Sequence, residues 1–173
     1  MDNKALILDT LARLHIPYAL HEHEPKWTIE DCLKTPGLDP TRATMPKNVF
    51  LCNRQQTAFH LVLLSPRRAF RTAVVSKLLG VSRLSFAPEG MLFQLLGLGK
   101  GAVSPLGLVF DEGRQVSLVV DRALLAHERL WFHPGVNTAS LEMRTDDFME
   151  SFLPGLGRKA TIITLPENEE DTP

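Results

Sequence analysis

Cysteine is scarce in this chain: Cys32 and Cys52 are its two, far apart in sequence. That spacing matches neither a metal-binding nor a redox motif. Long apolar runs are also missing, and none approaches the roughly 18 residues that a membrane helix needs. An excess of positive charge is absent too: 19 Lys and Arg stand against 20 Asp and Glu, for a net charge of −1. A dedicated nucleic-acid binder, with a pI above about 9, is therefore not expected. Asp2, Asn3 and Lys4 precede only a short amphipathic segment, which does not make a secretory leader. The expectation is a soluble, cytoplasmic protein in a reducing compartment, with no membrane partner.

Several familiar catalytic motifs are missing as well. Lys100 is followed by Gly101 rather than Ser or Thr, so there is no phosphate-binding loop. Gly97, Gly99 and Gly101 recur every second residue, which is not the dinucleotide fingerprint. Ser104 lacks the G-x-S-x-G setting of a nucleophile elbow, and Cys52 lies within an apolar strand. The run His21-Glu22-His23-Glu24 is not H-E-x-x-H and has no cysteine nearby. No metal and no cofactor are expected, and an enzyme of this kind would act without a covalent nucleophile.

What is present fits one globular α/β domain over residues 1–166, followed by an acidic tail, 167–173, expected to be disordered. The chain is 44% hydrophobic and 23% charged, enough apolar residue for a sizeable core. Helical spacing of Leu6, Ile7, Leu11 and Leu14 predicts a helix over 3–14, capped by Asp2 or Asn3. A short strand is expected at 18–21, and a helix starting at the capping box Thr28–Asp31 and ending before Pro36. Residues 37–44 read as a loop, and 48–53 and 57–64 as paired strands. A helix over 71–79 ends at Gly80, a short strand follows at 85–87, and another helix at 89–96. Strands at 106–110 and 116–120 flank Asp111-Glu112-Gly113-Arg114, a hairpin signal, before a helical turn at 121–126. A second hairpin is expected from 129–133 and 138–143, then a helix from Thr145 and a strand at 161–165. No internal repeat and no linker interrupts this order.

Chemistry concentrates in three places. The stretch Gly99–Gly107 holds three glycines, a serine and a proline between apolar runs. Glycine lets such a loop turn sharply and bring amides close to an anionic or carbonyl oxygen. Lys47 opens the apolar strand Asn48–Leu51, where it serves either as a point charge in a cleft mouth or as an edge lysine opposing aggregation. His133 stands at a strand end with Asn137 across a turn, a pair suited either to a ligand hydroxyl or to the turn itself. Arg67, Arg68, Arg71 and Lys77 form a basic stretch that is either a contact for tRNA phosphates or a solvated face.

In order along the chain, Pro46-Lys47-Asn48-Val49-Phe50-Leu51, Gly101–Gly107 and Phe132-His133-Pro134-Gly135-Val136-Asn137-Thr138 resemble the YbaK/ProX family. Its members are free-standing aminoacyl-tRNA deacylases related to the editing domain of bacterial prolyl-tRNA synthetases. The resemblance spans about Leu6 to Leu165 and is closer to the ProX branch, which removes alanine from proline tRNA. It implies a mixed, largely antiparallel, barrel-like sheet with helices packed around it. It also implies hydrolysis of mischarged tRNA(Pro) by a positioned water, with Ala-tRNA(Pro) as the expected substrate. Lys47 would hold the phosphate or carbonyl side of the substrate, and the amides of Gly101 and Ala102 would polarise the ester carbonyl. His133 would orient substrate or water. Asn48, Val103, Ser104, Pro105 and Asn137 are expected to bind substrate, with Tyr18, Leu20 and Phe50 forming a small apolar pocket. The expected partners are the acceptor end of tRNA(Pro) and prolyl-tRNA synthetase. The competing expectations are a YbaK-like Cys-tRNA(Pro) or broad-range deacylase, and a non-catalytic nucleic-acid-binding module.

Overall fold

The computed structural model describes residues 2–166; the expected acidic tail, 167–173, lies outside them. Asp2 sets the start of the first helix, its carboxylate accepting from the Ala5 amide at 2.7 Å. Helix α1 (Asn3–Arg13) follows, and the apolar stripe carries Ile7 and Leu11 fully into the core. Strand β1 (Ala19–Glu22) leads to the short helix α2 (Ile29–Leu33), which Thr28 caps through its hydroxyl to the Asp31 amide. The loop expected at 37–44 ends instead in strand β2 (Ala43–Thr44), too short to show alternation.

Strands β3 (Lys47–Cys52) and β4 (Phe59–Leu64) pair antiparallel with Lys47 opposite Leu64. Helix α3 (Thr72–Leu79) ends on Gly80 in the left-handed conformation at φ 67°, which glycine adopts without a Cβ clash. Strand β5 (Ser85–Phe86) and helix α4 (Glu89–Leu96) follow. Strand β6 (Val116–Asp121) comes next, then the hairpin of β7 (Arg129–Phe132) and β8 (Ala139–Arg144). A helical segment runs from Thr145 to Gly155 with a π-helical turn at Phe148–Phe152, before β9 (Ala160–Ile163).

Among the described residues the strands form two mixed sheets, β1-β8-β7-β2 and β5-β3-β4-β6-β9, and no closed barrel. Four of the seven strand pairings among the described residues are antiparallel, as expected of a mixed, largely antiparallel arrangement, and β2–β7, β4–β6 and β6–β9 are parallel. The first expected hairpin does not form. Residues 106–110 belong to a 3-10 helix, Pro105–Phe110, rather than a strand. Ser104 caps it by accepting from the Leu106 amide, and the proline pre-sets the first turn. Gly107 sits where a Cβ would fall 2.8 Å from the Leu96 carbonyl oxygen, so the turn is wedged against α4. Without a strand there, β6 pairs with β4 and β9 instead.

The main core lies between the two sheets, with Phe50, Phe59, Leu61 and Leu118 facing Leu130, Phe132 and Leu141. Helix α3 covers the outer face of the five-stranded sheet through Val75, against Leu51, Val62 and Val119. Helix α2 covers the outer face of the other sheet, where Cys32, Ala43, Met45 and Trp131 make a small separate core. That third cluster forms the floor beside the candidate site.

Candidate active site

A cleft of about 340 Å³ opens where β3, the start of α2, the glycine loop and the end of β7 converge. Lys26, Trp27, Thr28, Ile29, Cys32, Met45, Pro46, Lys47, Asn48, Val49, Gly101, Val103 and His133 line it. Its charged lining residues are Lys26 and Lys47, both cations, so the mouth suits an anionic ligand.

Lys47 reaches this cleft as the first residue of β3, and its ammonium donates to the Arg68 carbonyl oxygen at 3.1 Å. An ammonium has three protons, so two remain for a ligand. The same bond joins the basic turn to the cleft wall. Asn48 donates from Nδ2 to the Pro46 carbonyl at 3.2 Å. Its Oδ1 is buried and has no hydrogen-bond partner among the described residues. A buried acceptor left open at a cleft is costly unless a ligand donor fills it.

Gly101 adopts φ 91°, and a Cβ there would lie 2.9 Å from Cε3 and Cζ3 of Trp27. The loop behaves differently from the expectation at Ala102. That residue is buried and its amide donates to the Gly99 carbonyl at 3.1 Å, closing the turn. Gly101 and Val103 line the cleft, and their amides make no hydrogen bond among the described residues. These two, rather than Gly101 and Ala102, are the donors available to an oxygen. Gly101→Ala is expected to lower kcat/KM at least tenfold, because the methyl group meets both a strained φ and the Trp27 ring. Unchanged turnover in that variant would remove the loop from the site.

His133 follows β7 directly and is 7% exposed. Its Nδ1 lies 3.0 Å from the Ala139 carbonyl, which can only accept, so that nitrogen carries the proton. Nε2 is then the basic nitrogen, and it faces the Cys32 thiol at 3.7 Å. Burial holds the imidazole below its ordinary value, helped by nearby His23 and opposed by the Ala139 carbonyl. Burial likewise pushes the Cys32 thiol up, offset in part by Lys26. Both groups therefore face the cleft neutral at pH 7. Behind them, His23 is fixed between the Glu24 carbonyl and the Ser140 hydroxyl, each at 2.7 Å.

Burial lowers His60 and His127 as well, the latter with help from the Arg67 charge. As pH falls through the ordinary value of 6.5, the unfolded chain binds protons at these three imidazoles before the folded protein does. Stability is therefore retained above pH 6.5 and lost below it. Urea midpoints at pH 7.5 and pH 5.5 test this: the midpoint should fall at pH 5.5, and less steeply in His60→Gln. Equal midpoints would contradict it.

The other expected residues divide. Asn137 sits beside the site, its carbonyl accepting from the Lys26 amide at 3.1 Å and its Nδ2 reaching the Lys26 carbonyl at 3.5 Å. It pins the segment that presents Lys26 and Trp27. Ser104 and Pro105 are buried in the 3-10 turn and support the loop from behind. Tyr18, Leu20 and Phe50 do not line the cleft. Leu20 and Phe50 pack in the main core, and Phe50 stacks on Phe59 at 5.8 Å. The apolar wall comes from Ile29, Cys32, Met45, Val49 and Val103 instead. Arg68 abuts the cleft by its carbonyl, while Arg67 lies toward His127, and Arg71 and Lys77 are exposed at the two ends of α3. No motif in the sequence marks Trp27, Cys32 or Met45 as a cleft residue. The capping box at Thr28 was a signal for α2 but carried nothing about which of its residues faces a cleft.

Residues 23–151 match the family model described as an aminoacyl-tRNA editing domain. The prolyl-tRNA editing protein ProX of Acetoanaerobium sticklandii is 33% identical, over 95% of this chain and 99% of its own. The prolyl-tRNA synthetase associated domain-containing protein 1 of Bos taurus is 30% identical, over 95% and 96%. Among solved structures, a candidate trans-editing enzyme for prolyl tRNA synthetase superposes with a TM-score of 0.71 at 16% identity, covering 96% of this chain and 99% of that one. No helix among the described residues is long and apolar enough to cross a membrane.

Proposed function

The chain belongs to the family of aminoacyl-tRNA editing domains and is an aminoacyl-tRNA deacylase, and we propose that it removes alanine from mischarged proline tRNA. One observation carries this reading. A cation, an open carbonyl acceptor, two unengaged amides and a neutral imidazole all border one cleft.

An aminoacyl ester is already activated, so its hydrolysis needs positioning more than a strong nucleophile. The Gly101 and Val103 amides would receive the carbonyl oxygen and stabilise its charge as the tetrahedral centre forms. Lys47 would neutralise the terminal phosphate or share the developing charge. The open Oδ1 of Asn48 would accept from the α-ammonium or a ribose hydroxyl. A water would attack the acyl carbon, held by the basic Nε2 of His133 and passing its proton toward the neighbouring ribose hydroxyl. The acyl carbon–oxygen bond breaks, the ribose oxygen takes up a proton, and free alanine and uncharged tRNA leave.

Size would supply the selectivity. A synthetase pocket shaped for proline discriminates poorly against a smaller amino acid, which is what an editing site corrects. Ile29, Met45 and Val49 would close around a methyl side chain and leave proline outside. Prolyl-tRNA synthetase is then the source of the substrate. Deacylation of Ala-, Cys- and Pro-tRNA(Pro) tests the reading, with alanine removed fastest and proline spared. Faster loss of cysteine would assign the chain to the YbaK branch. Binding without hydrolysis of any of the three would make it a nucleic-acid-binding module.

A further inference from the structure

Trp27 stands out among the cleft residues because it is 70% exposed. A large aromatic ring left in water forfeits the burial that usually places it in a core or an interface. Phe86 and Phe93 are comparably exposed, but neither lines the cleft. The other tryptophan, Trp131, is fully buried.

Trp27 is nevertheless held in place. The residue before it is bonded through its amide and carbonyl to Asn137, and the residue after it caps α2. Cε3 and Cζ3 of its ring rest on the Gly101 backbone, where only a hydrogen fits. One part of the indole is thus seated on the oxygen-binding loop while most of its surface stays open. Depth in the cleft orders the ligand. His133 and Met45, 7% and 2% exposed, mark the inner end, while Trp27 marks the rim beside the cation Lys26.

We propose that Trp27 is the stacking platform for the terminal adenine of the tRNA. The assignment rests on the deacylase reading of the cleft. With the ester carbonyl on the Gly101 loop and the amino acid inward, the base attached to the same ribose is left at the rim, over the indole. Base stacking needs a fixed aromatic ring with an open surface next to a cation that can take the phosphate, and Trp27 and Lys26 supply both. A ring that only covered Gly101 would have no use for that open surface.

The test joins kinetics to fluorescence. Trp27→Ala and Trp27→Leu should raise KM for Ala-tRNA(Pro) by about ten- to a hundred-fold with kcat little changed, as expected for loss of one stacked base, and Trp27→Phe should recover most of it. Because the second tryptophan is buried, iodide quenching reports Trp27. The non-hydrolysable 3′-deoxy-3′-alanylaminoadenosine should protect it, its cytidine counterpart less, and alaninamide not at all. A wild type that cleaves Ala-tRNA(Pro), with KM unchanged in Trp27→Ala and no protection by the adenosine compound, overturns the stacking and leaves the deacylase standing. A wild type that cleaves none of the aminoacyl-tRNAs overturns the substrate reading, and protection by the adenosine compound then decides the stacking alone.

Discussion

Lys47→Met is expected to lower kcat/KM for Ala-tRNA(Pro) by about 10²–10³, the loss typical when one preorganised charge-stabilising donor is removed. Methionine keeps the aliphatic stem at the head of β3 and deletes only the ammonium. The deleted bond is to the Arg68 carbonyl, on a half-buried turn that water can reach, so the stability cost should stay under about 1 kcal/mol. Lys47→Arg should not restore activity, because a planar fork cannot replace a compact point charge that shares its protons between Arg68 and a ligand. Kinetics of both variants with a parallel urea titration checks this. A folded Lys47→Met enzyme with undiminished turnover would sink the central role given to this residue.

The largest stability effect is expected away from the cleft, at Arg158. Its guanidinium donates to the Asp111 carboxylate at 2.9 Å, to the Asp111 carbonyl, and to the Val116 carbonyl at 2.9 Å. The same carboxylate accepts from the Gln115 and Val116 amides at 3.0 and 2.8 Å. Arginine and aspartate side chains are 7% and 0% exposed, so neither can turn to water if its partner goes. Arg158→Met preserves volume but strands a buried carboxylate and two carbonyls, which should cost about 3–5 kcal/mol. For a chain of this size that lowers Tm by roughly 6–20 °C. Arg158→Lys should recover only part, since one ammonium cannot span three acceptors in that geometry. A urea-derived loss below about 1 kcal/mol would show that water or rearrangement relieves the carboxylate.

This clamp also explains why residues 105–116 misled a reading based on turn chemistry. Asp111-Glu112-Gly113-Arg114 does form a turn, with the Arg114 amide donating to the Asp111 carbonyl. The turn joins a 3-10 helix to a strand, however, and the Asp111 carboxylate takes the amides that a hairpin partner would have used. A similar limit applies to the cleft wall. On β3, Phe50 and Cys52 face the core between the sheets, while Val49 and Leu51 pack beneath α3. With both faces covered, the strand is apolar from Val49 to Cys52, and alternation could not tell Phe50 from Val49.

Local interactions were legible from the residues alone, because their partners lie within a few positions. The Asp2 and Thr28 caps, the left-handed Gly80, the pairing of β3 with β4 and the β7–β8 hairpin all follow from such short-range chemistry. The ordered motifs around Lys47, the glycine loop and His133 also carried the family. Only the tertiary structure decided the parallel pairing of β4, β6 and β9, the commitment of the Ala102 amide to Gly99, and the placing of Trp27, Cys32 and Met45 around Lys47. Cys32 meets His133 across 101 residues of chain, and Asn137 holds Lys26 across 111. Contacts of that separation arise when two sheets and their covering helices pack together, and no local periodicity or cap encodes them.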